Sequence, residues 1–131
     1  MTLNDLYCEC EKNHIEVYPF KMQSGLKGIA LPSGNIGLDL DRISNTIEEK
    51  EILAHEECHI LGGFFYNIYS DICVKEQQEY RATVATIKKL VPKNELEEAI
   101  NCGLTEHWEL ADYFDVSNKF MKSALKYYKE H

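Results

Sequence analysis

Apolar residues return at helical spacing in several stretches of this 131-residue chain and at alternate positions between two of them. Leu3, Leu6, Tyr7 and Cys10 recur at intervals of three and four, with Thr2 and Asp5 placed as a capping pair, which predicts an opening helix up to Asn13. Ile15, Val17 and Phe20 predict a short strand, closed by the turn-rich Gln23, Ser24 and Gly25. LKGIALP and NIGLDLD then read as a hairpin about Ser33, Gly34 and Asn35. In its second strand Ile36, Leu38 and Leu40 alternate with Gly37, Asp39 and Asp41, so the first set is expected in the core and the second in water.

From Asn45 the period becomes helical. Asn45 and Thr46, followed by Glu48 and Glu49, are two overlapping cap signatures, and Gly62 and Gly63 end the helix they begin. Residues 64–73, FFYNIYSDIC, are aromatic-rich without a period and read as a loop. EQQEYRATVATIKKLVP predicts a helix to Val91, stopped before Pro92, and a short helix follows from Asn94 to Asn101, ended by Gly103. In the closing segment Trp108, Leu110, Ala111 and Phe114 make one apolar face. Asp115 and Val116 make a turn, Ser117 a cap, and Phe120, Met121, Leu125 and Tyr128 a second face, which is a helix-turn-helix pattern. The expected class is α+β: a short three-stranded antiparallel sheet packed on a central helix and further helices, residues 1–131 forming one domain and residues 104–131 its C-terminal helical subdomain.

The central helix carries LAHEECHILGG, and within it HExxH. Residues four apart share a helix face, so His55 and His59 can aim two imidazole nitrogens at one point, which suits a zinc ion. Glu56 lies about a third of a turn from His55, placed to take a proton from water as it attacks a peptide carbonyl. Glu57, between the histidines, is expected to be exposed. Ile52, Leu53, Ala54, Ile60 and Leu61 flank the motif as in a buried helix.

A catalytic zinc site takes three protein ligands. HExxHxxGxxH would supply a third histidine, but Phe65 stands at that position, which excludes it and its aspartate variant. A glutamate from the next helix is the alternative, and Glu79 is the best candidate because Ala82 and Ala85 allow that helix to come close. Glu76, one turn earlier, is the runner-up; Asp71 and His107 remain possible. Tyr66 or Tyr69 is placed to donate to an oxyanion.

Taken together, AHEECHILGG and EYRATVATIKKLVP resemble the ImmA/IrrE metallopeptidases, whose pattern is AHExGH, a spacer, then ExxAxxxA in a helix ending near a proline. The resemblance covers about Asn35 to Tyr128. Cys58 stands where that family usually carries glycine, on a side of the helix turned away from the ligand pair. The resemblance implies a zincin-like, gluzincin-like fold with one zinc per chain. It also implies an endopeptidase that cleaves a helix-turn-helix transcriptional repressor of a mobile element or stress regulon.

A net charge of −8 opposes general affinity for nucleic acid or anionic membranes. No basic-then-apolar leader opens the sequence and no apolar run is long enough to span a bilayer, so a cytoplasmic protein is expected. The five cysteines form an odd set without CxxC and read as free thiols; Cys8 and Cys10 fall on different faces and make a poor metal pair. The last helix holds Lys119, Lys122, Lys126 and Lys129 against Glu130 alone, a strip that can touch phosphates. Completing a small core is the commoner use of such a pair, and direct nucleic-acid binding is not expected. Two functions compete with the peptidase: a DNA- or repressor-binding regulatory module with little turnover, and a zinc-stabilised scaffold.

Overall fold

A computed structural model describes residues 1–23 and 25–131; Ser24, read above as part of a turn, lies outside the described residues. The elements follow in the order α1 (Leu3–Lys12), β1 (Glu16–Pro19), β2 (Gly28–Leu31), β3 (Asn35–Leu38), α2 (Thr46–Gly62), α3 (Ile72–Leu90), α4 (Lys93–Asn101), α5 (His107–Phe114) and α6 (Asn118–Glu130). The class is α+β, with six helices and one three-stranded sheet among the described residues.

The sheet is mixed, which corrects the antiparallel expectation. Its order is β1-β3-β2: β2 and β3 form the expected antiparallel hairpin, but β1 lies parallel to β3, with Val17 opposite Ile36. β3 is therefore paired on both edges, and β2 keeps one edge open. Alternation also fails along β3, where Gly37, expected in water, is buried with the Phe20 and Ile29 side chains against it. Ile36 and Leu38 are buried as expected, but Leu40 is exposed and Asp39 is buried. The chain leaves the sheet after Leu38, and the Asp39 carboxylate turns inward to accept the backbone N–H of Met22 at 3.1 Å.

α2 runs through the middle of the molecule. Its N-terminus is capped by Asn45, whose side chain accepts the Glu48 N–H at 2.8 Å. Leu53 and Ala54 are sealed in a core shared with Leu6 of α1, Ile36 and Leu38 of β3, Leu90 of α3, Leu110 of α5 and Met121 of α6. β2 presses closely on this helix because Gly28 has no side chain: a Cβ there would meet the Ile52 side chain at 2.6 Å and Glu56 Cγ at 3.3 Å. On the α3 side Ala82 is fully buried, the close approach expected of a small residue.

The turn between α5 and α6 is fastened to α2 by two charged side chains. Lys50, itself buried, donates to the carbonyls of Phe114 at 3.0 Å and Asp115 at 2.9 Å, the orphan acceptors at the end of α5. Glu51 accepts from the backbone N–H and hydroxyl of Ser117, at 2.8 and 2.9 Å. Leu110, Ala111, Phe114, Met121 and Ala124 are buried, so the pair completes the core. Trp108, assigned to that apolar face from its spacing, is instead 54% exposed: it sits in the first turn of α5, where its ring meets His107 edge-on. No helix among the described residues is long and apolar enough to cross a membrane.

Candidate metal centre

α2 and α3 bring three of the expected donors together. His59 Nε2 lies 3.2 Å from His55 Nε2 and 3.0 Å from Glu79 Oε2, and His55 Nε2 lies 2.9 Å from Glu79 Oε1. Donors around a tetrahedral ion at 2.0–2.1 Å stand about 3.3 Å apart, so the triangle is close to the size such an ion requires. Among the described residues this is the group of His, Cys, Asp and Glu side chains that can hold a metal ion.

The hydrogen bonds around the triangle bear on what it can hold. His59 Nδ1 lies 2.6 Å from the Phe64 carbonyl oxygen, which can only accept, so the ring donates its proton there. Nε2, the other nitrogen of that ring, faces a carboxylate oxygen and a second imidazole. His55 Nε2 and Glu79 Oε1 share a hydrogen bond in this arrangement, and two imidazole nitrogens with a carboxylate are a set that a divalent cation accepts.

The Phe64 acceptor is placed by the helix terminus. Gly63 adopts the left-handed conformation (φ 68°), and the Phe64 N–H returns to the His59 carbonyl at 2.9 Å. The Phe64 ring folds over Gly62, where a Cβ would lie 2.2 Å from it. Sequence reasoning placed the end of α2 at these two glycines, but missed that the same turn orients His59. The signal available was the glycine pair three residues after the second histidine.

Glu79 is held from its other side by Tyr66, whose hydroxyl donates to Oε2 at 2.9 Å. Burial alone would raise Glu79, but its bonds to His55 and Tyr66 hold the carboxyl below its ordinary value. Burial and the Glu79 charge push the Tyr66 phenol up to about 12, so it remains a donor. Of the two tyrosines offered for an oxyanion, Tyr66 thus serves Glu79, and Tyr69 is 88% exposed. Glu76 is exposed and outside the group, Asp71 is the N-cap residue of α3, and His107 opens α5.

Glu56 faces a cleft of about 380 Å³ whose walls include Ile29 and Ala30 of β2, His59, Phe65, Ile68 and Glu79. Burial pushes its carboxyl up to about 7; His59 and the Ala30 backbone N–H oppose the rise, and the charge of Glu79 adds to it. Lys75, which the sequence did not single out, also lines the cleft.

Glu57 corrects an expectation, since it is fully buried and not exposed. It points away from the cleft into a cluster with Lys89 of α3, Glu9 of α1 and the thiol of Cys10, which donates to Glu57 Oε2 at 3.3 Å. Burial pushes the Cys10 thiol up to about 12, keeping it protonated, and Lys89 is raised by its two carboxylate partners against the effect of burial. Cys8 is exposed on another side of α1, and all five cysteines are free. Cys58 is buried beside Thr86 of α3, away from the donors.

Set against models of known protein families the chain matches none, and no curated protein matches it.

Proposed function

We propose that the chain is a zinc-dependent endopeptidase in which His55, His59 and Glu79 hold the metal and Glu56 moves the protons. The observation that carries this reading is the convergence of three donors, one with its tautomer already fixed, beside a half-buried carboxylate on a cleft bordered by an open strand edge. Zinc bound there would supply Lewis-acid polarisation of the peptide carbonyl and a lowered pKa for water.

The remaining work falls to the chain itself. In the β2–β3 ladder the Asp39 N–H donates to the Lys27 carbonyl, so Lys27, Ile29 and Leu31 spend their backbone groups on β3. The N–H and C=O groups of Gly28 and Ala30 face the other way, along the open edge, where the Ala30 N–H is turned toward Glu56. An extended polypeptide can add there as a fourth strand, which fixes its carbonyl relative to the donors. Both hairpin strands were candidates for this role from the sequence; β3 is occupied on both edges. Glu56 then takes a proton from the attacking water and delivers it to the departing amine nitrogen.

The ImmA/IrrE resemblance of the two helices supports a zincin-like, gluzincin-like assignment and, as substrate, a helix-turn-helix repressor acting on mobile-element or stress genes in the cytoplasm. The competing reading, a DNA-binding module, draws on the lysines of α6. Against it stands the first turn of α6: a recognition helix presents its N-terminal residues to base edges, whereas here that end is bound to the Glu51 carboxylate.

The purified chain is expected to take up one zinc and to cut a repressor encoded beside it. A Glu56→Gln chain that holds zinc and still cuts at the original rate would overturn the assignment of the base.

A further inference from the structure

Glu56 stands where two clefts meet. The first, described above, runs past His59 and Glu79 to Phe65, Ile68 and Lys75. The second, about 390 Å³, leaves Glu56 on the His55 side and is walled by Ile52, Thr83, Thr86 and Phe120. Leu26, Gly28 and Glu56 line both, so these are two arms of one groove with the three donors at its middle. α3 flanks both arms in order, Lys75 and Glu79 along the first, Thr83 and Thr86 along the second. β2 and the residue before it run along them in the opposite sense, Ala30 and Ile29 beside the first and Lys27 beside the second.

Resting on the peptidase reading, we infer that the second arm is a subsite for a large apolar side chain of an extended polypeptide, and that Phe120, supplied by the C-terminal helix pair, sets its size. A strand laid on the open edge of β2 advances about 3.3 Å per residue and crosses from one arm to the other without turning. The chemistry of the second arm selects against charge. Glu56 and His55 stand where it opens on the donors; beyond them its wall is Ile52, Phe120 and two threonines, and the other two charged residues on its margin are already paired, Lys27 Nζ with Glu48 at 2.8 Å and Glu51 with Ser117. Phe120 is held in place by the cap of its own helix, its N–H donating to Ser117 Oγ at 3.1 Å, and Ser117 is in turn held by Glu51 of α2. The fastening of the α5–α6 turn thus has a use at the groove: it registers one wall of the subsite to the helix that carries the donors.

A pooled library of extended peptides, digested by the zinc-loaded chain and read by mass spectrometry, tests this. Large apolar residues are expected on one side of the cut bond: the C-terminal side if peptides add antiparallel to β2, the N-terminal side if parallel, either result supporting the subsite. Phe120→Ala should lower kcat/KM for those peptides about tenfold, with a markedly smaller change for peptides carrying alanine there. Phe120→Trp, which keeps an aromatic ring for the core, should move the preference toward smaller residues. In the zinc-loaded Glu56→Gln background, calorimetry with a leucine-bearing library peptide should show about a tenfold weaker Kd when Phe120→Ala is added, with zinc affinity unchanged. Size preference unaltered in a folded Phe120→Trp chain that still cuts would overturn the inference and leave the peptidase standing. Failure of the wild-type chain to cut any peptide, with no peptide bound by Glu56→Gln, would overturn both.

Discussion

Glu56 and Glu57 are adjacent on α2, about 100° apart around the helix, and each faces a different cluster of charge. Burial raises both carboxyls. Glu57 has a cation against it, Lys89, whose bond opposes the rise, and Glu9, Cys10 and Lys89 close that cluster off. Among the described residues Glu56 has no lysine or arginine bonded to it, and it opens on a groove beside donors that lack one too. On one side of the helix a lysine stands between two carboxylates inside the fold; on the other, Glu56 and Glu79 face an open groove. Burial alone therefore does not single out a carboxylate for function; on the proposed reading, what separates Glu56 is burial without a basic partner.

The largest effect that would test the contrast is on turnover. Glu56→Gln should cut peptide about 10³-fold more slowly with its melting temperature and zinc content kept, because the amide retains the shape and loses the proton transfer. Steady-state kinetics beside a thermal melt measure both. Lys89→Met should do the reverse. It strands Glu57 without its counter-charge and is expected to remove about 3 kcal/mol of stability in urea unfolding, while zinc affinity of the folded chain changes little. Adding Glu57→Gln to Lys89→Met should recover about half of that loss, since the stranded charge is then gone.

What was legible beforehand follows the range of the interactions. HExxH, the caps of α1 and α2 and the glycine stop after Leu61 are written within four residues of where they act, and the structure has them in place. Glu79 was reached across a loop through Ala82, one turn on, which is fully buried; Ala85, counted with it, instead lines an open groove with Arg81 and Val84. The burial of Glu57 was not legible: it depends on Lys89 and Glu9, 32 and 48 residues away, which no helical period reports. Strand direction was hidden for the same reason. Alternation along β1 says which face is apolar, not whether the partner runs with it or against it. Leu40 and Asp39 misled because period two was carried past the point where the chain leaves the sheet, and the pull of the Met22 N–H on Asp39 came from another segment.

Smaller effects sharpen the contrast around the donors. Glu79→Gln replaces a charged ligand by a neutral amide, and zinc affinity measured by competition with a chromophoric chelator should fall about 100-fold. The rise in melting temperature on adding zinc, expected of the wild-type chain, should shrink accordingly. Were the rise to persist undiminished, the metal would be binding elsewhere.

Tyr66→Phe is the mildest change and the most discriminating, because Tyr66 touches the donors without being one. Its hydroxyl gives Glu79 Oε2 a hydrogen bond at 2.9 Å, and its ring is exposed, so its removal costs the core almost nothing. Losing a bond that orients a ligand carboxylate typically costs 10–100-fold in metal affinity, and with His55 and His59 still in place the lower figure, about tenfold, is expected. Stability of the metal-free chain should stay within about 0.5 kcal/mol. The result to set beside it is Lys89→Met, where stability falls and affinity holds. If Tyr66→Phe instead weakened the metal-free fold and left zinc affinity alone, the open cluster would be acting as structure, and the distinction between the two sides of α2 would not stand.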